Sequence, residues 1–280
     1  MHWAKAKNII IFILAVLNIF LAVNLYINNS SRLSTKEAAQ NAIEILKSRS
    51  ITVKCRVPVI NGVPKRLNFV NDGYDPAVLA EKLLDKPEIK ASDLEDNRIV
   101  ANGSRQLQVL TSISFLYTDS NPGSSVDISK IKTMEKYAVD FLKKANLMPQ
   151  SFYMDNYVKD ADNNVKFVFI EKYGNNLIYD NYLEVTVTQK GVTRILGSHR
   201  AIKKAENVSQ DNIMTAWQVI LRNFTDNAET EITGVDFGYK EEPGNIDNMK
   251  ASLEEPVWRI KVKGRNEPKY YNAFIGYEIK

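Results

Sequence analysis

The sequence predicts an α+β fold, in which a single N-terminal transmembrane helix precedes an extracytoplasmic body of helix-plus-antiparallel-sheet modules. Three observations support this prediction. An uncharged apolar run occupies residues 8–27, amphipathic helical patterns follow it about 80 residues apart, and alternating strand patterns come after each of those helices. The chain has 280 residues, which leaves enough length behind the apolar run for one large domain or two small ones.

Residues 8–27 are the predicted transmembrane helix. This run of 20 residues contains fourteen Ile, Leu, Val and Phe residues, and no charged residue occurs between Lys7 and Arg32. At about 1.5 Å per residue its length matches the ~30 Å hydrocarbon core of a bilayer. A secretory signal usually has a shorter apolar segment and a small-residue cleavage site, whereas Phe20 stands at the −3 position relative to Ala22. We therefore expect an uncleaved anchor.

The charges around this run predict its orientation. Lys5 and Lys7 precede it and the first charge after it is Arg32, so residues 1–7 are expected to be a cytoplasmic leader. The protein is then a single-pass protein of the cell membrane with an extracytoplasmic body. Residues 28–34 are the predicted stalk.

Ala15, Asn18 and Ala22 fall at i, i+3 and i+7, and therefore form one small, polar stripe on the predicted span. Small residues and interhelical amide bonds hold helices together in lipid, at ~0.6–2 kcal/mol per bond. We expect this stripe to contact a partner helix. The alternative is that Asn18 bonds only to the backbone of its own helix.

The composition of the body argues against a nucleic-acid-binding protein and against a fold stabilised by internal disulfides. Behind the span remain 35 Lys and Arg residues, the 37 of the chain less Lys5 and Lys7, against 33 Asp and Glu residues, so no charge excess favours nucleic acid. Cys55 is the single cysteine, so the body forms no internal disulfide. Cys55 alternates with Lys54 and Arg56, which predicts a buried, inert thiol on a strand.

The range 35–120 is the predicted N-terminal α+β module. Helix 35–48 starts at a capping box, Ser34 to Glu37, and is followed by strands 51–60 and 63–70 that an Asn61-Gly62 turn joins into a hairpin. The module continues with a short helix, which Asp75 caps and Pro76 begins, and a second hairpin at Asn102-Gly103 whose return strand is 107–117.

The range 121–280 is the predicted C-terminal α+β region, which begins within the turn-rich stretch 118–127. It holds two helix-plus-sheet units, at about 128–199 and 209–280. Their predicted helices are 128–146 and 209–224. The predicted strands lie near 151–158, 165–173, 179–189 and 192–199 in the first unit, and near 230–240, 256–264 and 269–279 in the second.

Candidate catalytic and metal-binding residues are few. The chain has only His2 and His199, which supply neither a zinc set nor a Ser-His-Asp triad, and we expect His199 to be a surface residue. Ser129 begins an S-x-x-K motif whose usual companions, S-D-N and K-T-G, are absent from the sequence. We therefore expect no enzyme activity, no catalytic residues, no cofactor and no metal.

The stretch "DADNNVKFVFIE" at 160–171 is similar to a calcium-binding loop. Asp160, Asp162, Asn164 and Glu171 occupy loop positions 1, 3, 5 and 12, but Val165 stands at position 6, where the sharp turn requires glycine. The alternation that follows is typical of a strand. We expect a polar hairpin turn here, with a calcium site as the alternative.

Three segments of the chain resemble the YycI family of Gram-positive bacteria. These are "MHWAKAKNIIIFILAVLNIFLAVNLY" at the start, "FVFIEKYGNNLIYDNYLEVTVTQKGVTRI" at 167–195 and "YYNAFIGYEI" at 270–279. The resemblance implies a fold of helix-on-sheet modules similar to PepSY-like domains, and it carries no catalytic residues. It also implies association with a sister protein, YycH, and with the sensor histidine kinase of cell-wall homeostasis, WalK (also called YycG), largely through transmembrane helices.

We therefore expect a non-enzymatic, membrane-anchored regulator of such a kinase, with a YycH-like sister protein and the lipid bilayer as its other partners, and no nucleic acid. One alternative is an extracytoplasmic module that binds peptide or cell-wall fragments in a concave aromatic pocket formed by Tyr153, Tyr157, Tyr179 and Tyr182. The other is an anchored inhibitor of a protease or a wall hydrolase.

Overall fold

The computed structural model describes residues 3–60, 63–70, 73–85, 99–209, 213–225, 229–241, 251–265 and 267–279. The helices of this part of the chain are α1 (Trp3–Ser48), α2 (Pro76–Leu84), α3 (Ile131–Lys144) and α4 (Ala216–Asn223). Side chains of α1 are described at residues 3, 7, 11, 13–24 and 36–48, and those of β12 from Glu254 onward.

The strands of the N-terminal half are β1 (Ile51–Val53), β2 (Lys65–Val70), β3 (Ile99–Asn102), β4 (Arg105–Thr111), β5 (Ser114–Asp119), β6 (Phe152–Lys159) and β7 (Val165–Tyr173). Those of the C-terminal half are β8 (Asn176–Thr188), β9 (Gly191–Ser198), β10 (Ala201–Asn207), β11 (Thr230–Glu241), β12 (Ala251–Val262), β13 (Lys269–Asn272) and β14 (Glu278–Ile279).

All fourteen strands belong to one sheet, whose main path runs β10-β2-β12-β11-β8-β9-β5-β4-β3. β7 lies against β8 and carries β6, β13 lies against β12 and carries β14, and β1 lies against β11. Neighbouring strands are antiparallel except at β11, which runs parallel to both β1 and β8. Strands from every predicted unit therefore share one sheet.

Two main cores form where the helices bury their apolar faces. In α3 the residues Met134, Ala138 and Leu142, spaced four apart, are fully buried against strands β4, β5 and β7–β9, together with α2. The second core packs α4 and the end of α1 onto β11, β12 and β13. α2, α3 and α4 thus pack on strands that follow them in sequence, as the α+β pattern predicts, but the core of α3 also includes β4 and β5, which precede it.

The predicted meanders of the C-terminal region are confirmed. β6, β7, β8 and β9 pair in sequence order, as do β11, β12, β13 and β14. Asp75 caps α2 as expected, since its Oδ1 accepts from Ala77 N at 2.8 Å. In the last unit the helix begins at Ala216, and Thr215 and Gln218 form a capping box at its start. Residues 210–212 of the predicted helix lie outside the described residues.

The N-terminal end differs from the prediction in its helix boundaries. α1 runs without a break from Trp3 to Ser48, so the predicted stalk 28–34 is helical and no helix begins at Ser34. No Gly or Pro occurs within this range, and without such a breaker a capping signal does not interrupt a helix that already continues on both sides. No helix of the described residues is long and apolar enough to cross a membrane.

The first predicted hairpin also differs, whereas the second, at Asn102-Gly103, is confirmed by the antiparallel pairing of β3 with β4. β1 pairs with β11 and β2 with β10 and β12, so the strands on either side of Asn61-Gly62 do not pair, and that dipeptide lies outside the described residues. The predicted return strand 107–117 turns at Ser112-Ile113 into the separate strands β4 and β5. Tertiary pairing overrides the local turn signal in the first case.

The parallel contact between β8 and β11 is the shortest pairing along the main path of the sheet. Only Leu177 with Gly238 and Ile178 with Tyr239 are in register there. A Cβ added at Gly238 would lie 2.4 Å from Leu177 O and 2.7 Å from the Tyr179 ring, so only glycine permits this close approach.

We predict that Gly238→Ala lowers the free energy of unfolding by about 1–3 kcal/mol, because the added methyl forces the two strands apart. Gly234→Ala, on the same strand, is the matched control, since its methyl would meet only the flexible side chain of Lys261, at 3.1 Å. Urea denaturation of both variants measures the difference. Equal losses in the two variants would contradict this account of the junction.

Candidate functional site

The N-terminal part of α1 exposes an apolar surface. Nine described apolar side chains are 49–64 % exposed: Ile11, Ile13, Leu14, Val16, Leu17, Ile19, Phe20, Leu21 and Val23. A helix that is apolar all round requires a covering of lipid or protein. This segment, residues 11–24, is therefore the candidate site for contact with a bilayer or a partner helix.

The three residues predicted to contact a partner all lie in this segment. Ala15, Asn18 and Ala22 are exposed on α1, and their spacing brings them to one side of the helix. Within the described residues the Asn18 amide has no hydrogen bond, whereas Asn24 donates its Nδ2 to Phe20 O at 3.0 Å. Asn24 thus bonds to its own backbone, which is the alternative considered for Asn18. Contact of the stripe with a partner stays a prediction.

The C-terminal end of α1 joins this segment to the body. Ala42 and Leu46 are buried, and Leu46 belongs to the core that α4, β11 and β12 form. Arg49, directly after the helix, donates its Nη1 to Leu221 O at 2.9 Å and to Phe224 O at 3.4 Å. A cation at the last carbonyls of α4 is favoured there by the helix dipole. The end of α1 is therefore joined to α4 by both apolar packing and hydrogen bonds.

A buried ionic cluster reinforces the β8–β11 junction. Arg200 donates Nη1 to Glu241 Oε2 at 2.8 Å and Nη2 to Glu254 Oε1, while its backbone N donates to Asn181 Oδ1 at 2.9 Å. On the other side Asp180 accepts from the backbone N of Glu241 at 2.7 Å. We define the Arg200 cluster as Asp180, Asn181, Arg200, Glu241 and Glu254; it links β8 with β11 and β12.

The pKa of Glu254 is raised to about 8, mainly by burial and then by the negative charge of Asp180, while the positive charge of Arg200 opposes this rise. The Oε2 atom of Glu254 has no hydrogen-bond partner among the described residues. At neutral pH the protonated carboxyl is therefore the favoured form. It is inaccessible to a substrate, since the side chain of Glu254 is 0 % exposed and that of Arg200 is 2 % exposed.

A second buried arginine connects β12 with β6 and β11. Arg259 makes a two-pronged pair with Asp155, both distances being 2.7 Å, and also donates to Asp236 at 2.8 Å. Burial alone would raise the pKa of Asp155, but the Arg259 guanidinium outweighs it and lowers that pKa. The guanidinium also lies 4.8 Å from the Tyr179 ring centroid. These groups hold one another as charged pairs.

Neither arginine was predicted from the sequence as part of a site. Arg259 stands between Trp258 and Ile260 in "VWRIKV", so the alternation assigns it to the face opposite those buried side chains. The sequence signal for Arg259 would have been a charged residue in the middle of a strand whose other face packs in the core. Arg200 follows a strand end and gives no comparable signal, because its partners come from distant strands.

His199 is not the plain surface residue that the sequence predicts. Its ring is half-buried near Tyr74 and Phe152, and Nε2 lies 3.5 Å from Glu171 Oε2. Glu171 also accepts from Asn181 Nδ2 at 2.6 Å. Burial would raise the pKa of Glu171, but its bonds to His199 and Asn181 lower it.

The calcium-like stretch forms a hairpin turn between β6 and β7. Asp160 Oδ1 accepts from the backbone N of Asp162 and of Asn164, both at 2.9 Å, and Asn163 adopts a positive φ of 63°. Glu171, the predicted twelfth ligand, lies at the far end of β7. The Asp160 carboxylate thus organises the turn, as the sequence predicts. No group of three or more His, Cys, Asp or Glu suited to a metal occurs within the described residues.

Two open grooves lie on the sheet, and the four tyrosines of the alternative function do not share one. The first groove, of about 460 Å³, includes Tyr153, and the second, of about 420 Å³, includes Tyr179 and Tyr182. Tyr157 lines neither of them. These four tyrosines therefore do not line one shared groove in the part of the chain that the structure describes. Cys55 is half-buried at the edge of the second core, and burial followed by the charge of Asp236 raises the pKa of its thiol.

Comparison with known proteins identifies the family of this chain. The family model described as YycI protein matches residues 29–274, which cover most of the chain and nearly all of the sheet. The chain belongs to the YycI family. This membership implies a regulatory role, consistent with ionic clusters that are closed to substrates. No curated protein matches the chain.

We predict that Arg49→Met lowers the free energy of unfolding by about 1–2 kcal/mol, because two carbonyls of α4 lose a charged donor. Lys47→Met is the matched control, as Lys47 lies on the same helix and is exposed. Hydrogen exchange should accelerate at residues 42–50 and 219–224 in the Arg49 variant alone. Unchanged exchange in both segments would show that Arg49 does not join α1 to α4.

We predict that Glu254→Gln reduces the loss of stability at alkaline pH. The carboxyl titrates at 4.5 when unfolded and at about 8 when folded, so unfolding releases a proton in this window and the free energy of unfolding falls as the pH rises through it. Glutamine does not titrate. Urea midpoints at about pH 6 and about pH 8.5 should therefore differ less in the variant. Parallel losses in the variant and the parent would refute this assignment.

Proposed function

We propose that this chain is a non-enzymatic, membrane-anchored regulator that modulates a cell-wall-sensing histidine kinase through contacts of α1 in the bilayer and of the body outside it. The observation that supports this most directly is the exposed apolar surface of residues 11–24, on a helix whose other end is buried in the body. Lipid or a partner helix satisfies such a surface, and water does not.

The proposed location is the cell membrane, with residues 8–27 as a single span, the N-terminus in the cytoplasm and the sheet outside the cell. The length of the apolar run and the lysines that precede it support this orientation. Proposed partners are a WalK/YycG-like kinase and a YycH-like sister protein.

The proposed mechanism is a shift in the populations of two kinase states. A partner helix that packs on the Ala15–Asn18–Ala22 stripe more tightly in one state favours that state. A difference of about 1–3 kcal/mol is sufficient to change the populations about 5- to 150-fold. Small residues and an amide without an internal bond are the features that permit close helix packing in lipid.

We predict that Asn18→Leu weakens co-purification of the full-length chain with the kinase from native membranes by about threefold to tenfold, as one interhelical amide bond is lost. Asn24→Leu is the matched control, because the Asn24 amide already bonds to Phe20 O in its own helix. The amount of kinase recovered per molecule of bait measures the effect.

Two outcomes would contradict the proposal. One is equal recovery with both asparagine variants and the parent. The other is undiminished binding of the kinase by a chain from which residues 1–27 have been deleted. A chain truncated after residue 50 should by contrast retain part of the binding, because it keeps the whole span.

A further inference from the structure

The first groove lies where strand β11 has an open edge. β12 pairs with one edge of β11 over most of its length, but the other edge pairs only with β1 at residues 230–232 and with β8 at residues 238–239. Among the described residues, no strand pairs with this edge over residues 233–237. At about 3.3 Å per residue the open stretch is about 16 Å long.

The walls of the first groove come from two sides of this gap. One wall is the extended segment 56–64, apart from residues 61–62, and the other is formed by Tyr153 and the β7–β8 turn. Val235, Asp236 and Phe237 of β11 form the base together with Trp258. The backbone N of Lys54, directly after β1, donates to Ile232 O at 2.8 Å, and no described residue after Lys54 in this segment is paired with β11 as a strand. The gap is therefore open rather than filled by this segment.

Alternate residues of a strand direct their backbone N–H and C=O groups to opposite edges. About two or three of the five residues 233–237 therefore direct their backbone N–H and C=O groups into the gap. Unpaired strand edges of this kind accept an added strand, and main-chain hydrogen bonds then supply affinity while side-chain pockets supply specificity. Phe237 and the exposed Val59 offer apolar surface beside the edge.

The charges of the groove favour an acidic occupant. Arg56 and Lys172 both line it, and no carboxylate of the described residues forms an ion pair with either of them. The Nζ atom of Lys172 lies 3.8 Å from the centroid of the Tyr153 ring. The ring has no net charge, so the positive charge of Lys172 is not neutralised by this contact. The one acid of the lining, Asp236, is already paired with Arg259 at 2.8 Å. The groove therefore has a net positive charge.

The geometry points to a binding site for an extended, acidic segment of a partner protein, which adds a strand to the open edge of β11 and sets a carboxylate between Arg56 and Lys172. Its apolar side chains pack on Phe237 and Val59. This site belongs to the sheet and is separate from the contacts of α1. It gives a regulator a second surface through which a folded partner outside the membrane engages the body.

Defined peptides test this site on the full-length chain in nanodiscs. The probes are fluorescent octapeptides of alternating threonine and valine with a solubilising tail, each with one glutamate at a successive position, and the same peptides with glutamine instead. We expect the best glutamate peptide to bind about tenfold more tightly than its glutamine partner, because a charged hydrogen bond is lost. Arg56→Gln and Lys172→Gln should each remove most of that difference.

Lys203→Gln is the matched control, since Lys203 is an exposed lysine of β10 that lies outside both grooves. It should leave the tenfold difference unchanged. Binding should also slow hydrogen exchange at residues 233–237. N-methylation at alternate peptide positions should abolish binding in one of the two registers and spare it in the other, as strand pairing requires.

Three results would overturn the proposal. The first is that no peptide of the set binds with a Kd below about 1 mM, since weaker binding is expected of nonspecific contact. The second is that the glutamate and glutamine peptides bind equally. The third is that Lys203→Gln weakens binding as much as Arg56→Gln does. Because the assay contains no kinase and measures only peptide binding to the sheet, its failure leaves the proposed contacts of α1 intact, and failure of the co-purification leaves this site intact.

Discussion

The contact of Arg200 with strands β8, β11 and β12 is the interaction on which the rest of the structure depends. The two parts of the sheet share only two residue pairs at β8–β11, so their relative position rests on this buried guanidinium and on the carboxylates around it. Arg259 makes a second connection, from β12 to Asp155 of β6. Loss of one partner from a buried pair leaves an uncompensated charge, at a cost of about 3–5 kcal/mol. The ionic clusters therefore hold the sheet as one unit.

The same strands that meet at this junction also receive α1 and form the first groove. Leu46 of α1 packs in the core of β11 and β12, and the open edge of β11 is the base of the groove. Under the proposed function, a shift of α1 and a partner strand added at the open edge would act on the same packed strands.

The sequence predicted most of the C-terminal region and less of the N-terminal module, for a physical reason. β6–β9 and β11–β14 are meanders, in which each strand pairs with its neighbour in sequence and local patterns suffice. β1 and β2 pair with strands more than 100 residues away, which the Asn61-Gly62 turn signal cannot indicate. The predicted break at 28–34 was wrong because no glycine or proline interrupts α1.

The sequence by itself determined the apolar run, the stripe of Ala15, Asn18 and Ala22, the alternating strands and the family resemblance, since each is a property of neighbouring residues along the chain. Only the tertiary structure decided that the predicted units share one sheet, that Arg200 and Arg259 are buried among carboxylates, and that β11 keeps an open edge. These features depend on which distant strands come together. Local periodicity carries no information about that choice, because the partners compete through packing and charge across the whole fold.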